Sequence, residues 1–172
     1  MSDFAHQLKL DRIRDGDRLD LVADDSERQA VGERLGLARL DRLEAHAVLA
    51  RDGEAIRATG RLQAALQQSC VVTGEPIAAH VDEPFEFSFL PEPGGLKPDD
   101  EIELGADECD TVFHDGSVID LGTAIADTLA LSVDPYPRSA AADAALKEAG
   151  IMTEEEAGPF AVLAQLKRGD SE

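Results

Sequence analysis

The sequence predicts an α+β fold: a mainly antiparallel sheet or a partly closed barrel, two main helices, and a C-terminal tail that is helical or disordered. Two long stretches on either side of Asp52-Gly53 alternate apolar residues with polar or small ones, which is typical of strands. Two other segments place apolar residues at helical spacing. The chain has 172 residues, and 43% of them are apolar, which suffices for one core. We therefore assign residues 1–138 to a single domain and residues 139–172 to the tail.

The first elements are two short apolar pairs and a helix. Leu8 and Leu10, then Leu19 and Leu21, have strand spacing and flank a turn-forming Asp-Gly-Asp, which predicts a short hairpin or bent strand pair. A helix is predicted over about residues 26–35, opened by a Ser-x-x-Gln capping box and stopped by the glycine that follows it.

A long hairpin is the clearest local prediction. Asp52-Gly53 supplies the positive backbone angles of a two-residue turn, so the two apolar rows can share one face. The rows consist of Leu43, Ala45, Ala47 and Leu49, then Ile56, Ala58, Gly60, Leu62, Ala64 and Leu66. Arg57 and Arg61 stand on the other face with Arg51 nearby, where they could contact RNA phosphates. We favour a solvated strand face for them, because no aromatic residue is interleaved to stack a base.

The third strand runs from Ile77 to Phe89 and carries three phenylalanines at period two, which we assign to the core. A change of phase is expected at Glu83-Pro84. Short strands are predicted at residues 101–104 and 110–113. A second helix begins at Asp120, and Leu121, Ile125 and Leu129 then recur every four residues until Pro135 and Pro137 end it. Residues 159–167 form a further helical pattern in the tail.

The charge is unevenly distributed. The chain carries a net charge of −20, and residues 82–115 contribute −11 of it, with twelve acidic residues and one basic residue. Such a surface repels phosphate and attracts basic proteins, which disfavours tight nucleic-acid binding by the whole molecule. A solvated loop that aids solubility explains the block as well. The candidate partner-binding residues are Asp99, Asp100, Glu101, Glu103, Asp107, Glu108 and Asp110.

Catalytic and metal-binding patterns are lacking in the sequence. The histidines have no H-E-x-x-H spacing, and no nucleophile elbow or phosphate-binding glycine loop occurs. We expect no catalytic residue, no cofactor and no metal. Cys70 and Cys109 are far apart and expected to be reduced. No apolar run is long enough for a membrane span, and no basic stretch followed by an apolar run opens the chain, so a cytoplasmic location is expected.

Several segments together carry a resemblance to a known family. They are Cys70-Val-Val-Thr73-Gly-Glu-Pro76, the strand from Val81 to Phe89, the acidic block, Ile119-Asp120-Leu121 and Leu129 to Pro135. In this order they resemble the YceD family of large ribosomal RNA subunit accumulation proteins, over about residues 5–138. Many members read C-x-x-C-L-x-P in the first segment, whereas this chain has Thr73 in place of the second cysteine and Gly74 in place of leucine. One thiolate cannot complete a structural zinc shell, so we interpret the segment as a turn with a packed thiol.

The resemblance implies a role in the synthesis, processing or stability of 23S ribosomal RNA, without an established catalytic mechanism. Joined to the charge pattern, it suggests a factor in large-subunit assembly that holds a basic ribosomal protein or assembly factor. Contact between the arginine face and ribosomal RNA is secondary in this hypothesis. The alternatives are a metal-dependent ribosomal RNA processing enzyme, which needs clustered acids to bind magnesium, and a structural subunit of a larger complex.

Overall fold

A computed structural model describes residues 4–92 and 110–151. Within these residues the chain forms β1 (Gln7–Lys9), a 3₁₀ turn (Leu10–Arg12), β2 (Arg18–Val22), α1 (Asp25–Arg34), β3 (Arg39–Asp52), β4 (Ala55–Ser69), β5 (Pro76–Pro91), β6 (Thr111–His114), β7 (Val118–Asp120), α2 (Leu121–Ser132) and α3 (Ala142–Glu148). The chain divides into two compact units. The first comprises Met1–Gln68 and Ala78–Pro135, and the second comprises Ser69–Ile77 and Tyr136–Glu172.

The first unit is built on a five-stranded sheet of order β2-β3-β4-β5-β6, beside a two-stranded sheet of β1 and β7. The larger sheet is mixed, because β2, β3 and β4 pair antiparallel while β6 runs parallel to β5. The α+β prediction is therefore confirmed. Its barrel alternative is not, since the strand order of the described sheet is linear and open.

The long hairpin is confirmed, and its register brings the two apolar rows together. Leu43 lies opposite Ala64, and Ala45 lies opposite Leu62. The loop lies one residue later than predicted: Asp52 still pairs with Ala55, so Gly53 and Glu54 form the connection. Gly53 has a φ of +63°, the left-handed conformation that glycine adopts without strain.

The predicted N-terminal hairpin is wrong. β1 pairs with β7, where Gln7 lies opposite Asp120, and β2 pairs with β3, where Arg18 lies opposite Val48. Two apolar residues are enough to mark each short strand but do not specify its partner. The 3₁₀ turn after β1 and the 14-residue length of β3 allow the two short strands to pair apart from each other.

Both main helices are present, and the first has a different cap from the one predicted. Asp24, not Ser26, opens α1: its Oδ1 accepts a hydrogen bond from the Glu27 backbone N–H, and Glu27 Oε2 accepts one from the Asp24 N–H, both at 2.8 Å. The capping box therefore lies two residues earlier than the sequence suggested. Asp120 caps α2 as predicted, accepting from the Thr123 N–H at 3.0 Å.

The C-terminal segment is helical in part. α3 lies in the residues assigned to the tail, whereas the helical pattern at 159–167 falls outside the described residues, as does the strand predicted at 101–104. No helix in the described ranges is long and apolar enough to span a membrane.

β5 keeps one phase along its whole length, so the predicted change at Glu83-Pro84 is wrong. Val81 and Phe85 are both buried, and Glu83 between them occupies the same side of the strand but is exposed. Because Glu83 is acidic although it lies on the core side of the strand, it interrupts the apolar alternation in the sequence as a change of phase would. The phenylalanine prediction is confirmed, since Phe85, Phe87 and Phe89 are 7%, 6% and 0% exposed, and the rings of Phe85 and Phe87 stack at 4.9 Å.

A glycine in the middle of β4 admits one of these rings into the core. A Cβ on Gly60 would come within 2.0 Å of the His46 carbonyl oxygen and 2.6 Å of Phe85 Cζ. No side chain fits this space without movement of β3 or of the Phe85 ring. Gly60 therefore couples three neighbouring strands of the sheet.

Replacing this glycine tests that coupling. We expect Gly60→Ala to lower the free energy of unfolding by about 2 kcal/mol, the scale at which overpacking destabilises a core. The control is Gly32→Ala in α1, where an added Cβ would lie 3.7 Å from Leu40 Cβ. That variant should gain about 0.5–1 kcal/mol, because alanine is the better helix former. Urea unfolding measures both changes, and equal stabilities for the two variants would contradict the packing described.

Candidate functional site

The turn between β4 and β5 centres on Cys70, the first residue of the family-like motif. The Cys70 backbone N–H donates to the Glu75 carbonyl at 2.8 Å, and the Gly74 N–H donates to the Cys70 carbonyl at 2.9 Å. Gly74 adopts a φ of +74°. These bonds reverse the chain so that Pro76 begins β5. The predicted turn is thereby confirmed.

The Cys70 thiol is buried and held by N–H donors. Its side chain is 3% exposed, and Sγ accepts hydrogen bonds from the Thr73 N–H at 3.4 Å and the Ser139 N–H at 3.3 Å. The Thr73 side chain and these backbone donors lower the pKa of the thiol from 9.0 to about 6, although burial acts in the opposite direction. A packed thiol was expected from the sequence, and the donors favour its thiolate form.

The residue that replaces the usual second cysteine has a hydrogen-bonding role of its own. Thr73 Oγ1 lies 3.1 Å from Glu75 Oε2, and Ser139 Oγ donates to the same carboxylate oxygen at 3.0 Å. Thr73 and Ser139 thus link the turn to the chain that follows residue 138. Sequence reasoning missed Ser139, because nothing local marks a residue whose contact with Cys70 spans 69 positions.

Metal binding at this turn has little chemical support. Cys70 is the single thiolate of the turn, whereas a structural zinc needs four ligands. Across residues 4–92 and 110–151, no three His, Cys, Asp or Glu side chains are grouped to hold a metal ion. Cys109 lies outside these ranges.

Asp120-Leu121, which belongs to another of the segments that carry the family resemblance, has a structural role. Asp120 Oδ1 accepts from the His6 N–H at 3.1 Å in addition to capping α2, and Leu121 is fully buried. A Cβ on the next residue, Gly122, would come within 2.1 Å of the Phe4 carbonyl oxygen. These contacts hold residues 4–6 against the first turn of α2. Pro135, the last residue of those segments, follows the end of α2.

The three arginines proposed to contact RNA do not form one surface. Arg57 Nη1 lies 2.6 Å from Glu86 Oε1, and Arg61 pairs with Asp82, whose hydrogen bond raises the pKa of the guanidinium. Arg51 lies opposite Ile56, on the side of the buried row. There its Nη1 donates to the carbonyls of the 3₁₀ turn region, at 2.6 Å to Leu10 and 3.1 Å to Ile13.

Most of the acidic candidates fall outside the described residues: Asp99, Asp100, Glu101, Glu103, Asp107 and Glu108. Asp110 is described and exposed, and its carbonyl accepts from the Ser88 N–H at 3.0 Å. Asp115 lies just beyond it. Hydrogen bonds from the Ser117 hydroxyl and backbone hold the pKa of Asp115 below its ordinary value, so it is ionised at neutral pH.

The fold and the turn together define a small acidic α+β protein on an open mixed sheet with a hydrogen-bonded buried thiol. The sequence model of the family described as Large ribosomal RNA subunit accumulation protein YceD matches residues 58–167. The match covers more than half of the chain, which therefore belongs to the YceD family. It begins within β4 and continues beyond residue 138, so it includes both Cys70 and Ser139. No curated protein and no solved structure matches the chain.

The lowered pKa of Cys70 can be measured directly. In a Cys109→Ser background, absorbance of the thiolate at 240 nm should rise with a midpoint near pH 6. The thiolate is favoured by the folded state, so its contribution to stability is complete above the ordinary pKa of 9.0 and is lost as the pH falls through about 6. Cys70→Ser should remove this pH-dependent part of the free energy of unfolding.

Two substitutions of Thr73 form a matched pair for this titration. Thr73→Val removes the hydroxyl that contributes most to the shift and should move the midpoint toward 9.0, whereas Thr73→Ser keeps the hydroxyl and should leave it near 6. A midpoint that is the same in both variants would show that the hydroxyl does not set the pKa.

Proposed function

We propose that this protein is a non-enzymatic factor that supports accumulation of the large ribosomal RNA by holding a basic ribosomal protein or assembly factor. The description of its family names large ribosomal RNA subunit accumulation. The observation that carries the choice of partner is the charge of residues 82–115, which contain twelve acidic residues and one basic residue. A surface of one sign steers partners of the opposite sign and repels nucleic acid.

The pairing of the sheet arginines supports protein contact over direct RNA contact. Binding of nucleic acid depends on Lys and Arg that displace counterions from phosphate. Arg57 and Arg61 each already lie against a carboxylate of β5, so an RNA phosphate would have to compete with Glu86 and Asp82. Contact with ribosomal RNA is accordingly the second, weaker interaction in this proposal, and Arg57 and Arg61 are the residues of the sheet face that would make it.

Partner capture at two salt concentrations tests the proposal. Wild-type protein should retain basic ribosomal proteins at low salt and lose most of them at high salt, because exposed charges are screened. Neutralising four acids of the block should have the same effect as salt: Asp99→Asn, Asp100→Asn, Glu101→Gln and Glu103→Gln. The control neutralises four exposed acids elsewhere: Asp11→Asn, Asp20→Asn, Asp25→Asn and Glu33→Gln. Retention of the same basic partners by both variants would refute a role for the block.

Depletion of the protein tests the role in large ribosomal RNA accumulation that the family description implies. We expect precursors of the large ribosomal RNA to accumulate and free large subunits to decrease, and we expect the control variant, but not the block variant, to restore them. A normal ribosome profile would contradict the proposal.

Two other results would support the alternative functions. Cleavage of precursor RNA by the purified protein with magnesium would identify a processing enzyme in place of the proposed factor. Co-purification of one partner at fixed stoichiometry in both salts would instead indicate a structural subunit.

A further inference from the structure

A shallow groove of about 370 Å³ lies in the first unit, where the edge strand β6 meets α2. Val112 lies opposite Phe89 in the parallel register, on the side of the sheet that faces the core. Phe89 is fully buried, yet Val112 is 39% exposed. Among the described residues the core is therefore left partly open at this edge. Val118 and Ile119 of β7 and Ala124 of α2 add to the apolar lining.

The polar rim of the groove is acidic. Asp115, Asp120 and Asp127 line it, and no Lys or Arg does so among the described residues. Arg34 of α1 reaches Asp127 at 3.3 Å, which leaves the rim with a negative balance. His114 has both ring nitrogens occupied, since Nδ1 accepts from the Gly116 N–H at 3.1 Å and Nε2 lies 3.2 Å from the Glu54 carbonyl, to which it can donate. It is therefore a structural residue and adds no free donor to the site.

We propose that this groove binds a short basic segment of the protein partner, with one apolar side chain over Val112 and Val118 and flanking Lys or Arg residues beside Asp115 and Asp127. The inference rests on the proposed function and adds a binding site to it. An apolar floor favours an apolar anchor, and anchors of this kind carry most of the binding energy of an interface. Carboxylates around such a floor select a cationic segment and disfavour RNA or an anionic membrane surface.

The test uses short synthetic peptides as probes. In the first peptide, one phenylalanine is flanked by lysines; in the second, serine replaces the phenylalanine; in the third, glutamates replace the lysines. Fluorescence anisotropy gives the affinity, and backbone amide NMR shifts locate the site. We expect the first peptide alone to bind well and to shift the amides of Val112, Phe113 and Thr123.

Substitutions in the groove should reduce this binding. Val112→Ser should weaken it about tenfold, the cost of losing a good interface contact. Asp115→Asn with Asp127→Asn should weaken it and flatten its dependence on salt. The matched controls are exposed positions outside both the groove and residues 82–115, and they should stay within about twofold of wild type, as exposed positions outside an interface do: Val48→Ser, and Asp11→Asn with Asp20→Asn. If thermal unfolding shows that Val112→Ser is not folded, Val118→Ser replaces it.

The outcomes separate this inference from the proposed function. Equal binding of the first peptide by groove and control variants would overturn the groove, while salt-sensitive capture of basic proteins would still support the proposed function. Equal binding of the first and second peptides would overturn the apolar anchor, and equal binding of the first and third would overturn the role of the carboxylates. A dimer at rising concentration that Val112→Ser abolishes would identify a second copy of the chain as the occupant, and would also overturn the inference.

Discussion

The register between β3 and β4 determines where everything else in the sheet can lie. The two strands pair from Arg39 opposite Gln67 to Asp52 opposite Ala55, with an irregularity between Leu40 and Arg42. Successive side chains of a strand point to opposite faces, so a slip of one residue would move an entire apolar row into solvent. The two-residue connection after Asp52 fixes the register locally. β2 then adds to one side of this pair and β5 to the other.

The remaining strands depend on how closely the central pair is packed. Phe85 can approach β4 because Gly60 has no side chain, and the ring then stacks on Phe87, which meets Phe89 edge-on at 6.2 Å. These rings belong to the same buried cluster as Ile125 and Leu129 of α2. A single small residue on one strand thus determines how the aromatic residues of the next strand are arranged.

The features that could be predicted from the sequence are those determined by residues a few positions apart in the chain. The hairpin and the capping of α2 by Asp120 each depend on contacts within a few positions, so alternation and capping patterns were sufficient. The pairing of β1 with β7 could not be predicted, because Gln7 and Asp120 are brought together only by the folded chain. The sequence also did not indicate the partners of the arginines. Arg57 pairs with Glu86 of the neighbouring strand, 29 positions away, and Arg51 donates hydrogen bonds to backbone carbonyls. For Cys70, the sequence indicated a buried thiol, but its donor Ser139 lay in a segment assigned to the tail.

The bond between Asp120 and the N–H of His6 also has a consequence for synthesis on the ribosome. The two residues are 114 positions apart, so the N-terminal segment leaves the ribosome on the order of ten seconds before its partner at ordinary rates of elongation. β2, α1, β3 and β4 can meanwhile associate, since their contacts are complete once β4 has emerged. β1 is therefore among the last of the described strands to be paired, and residues 4–9 stay unpaired in the nascent chain until β7 and the start of α2 have been made.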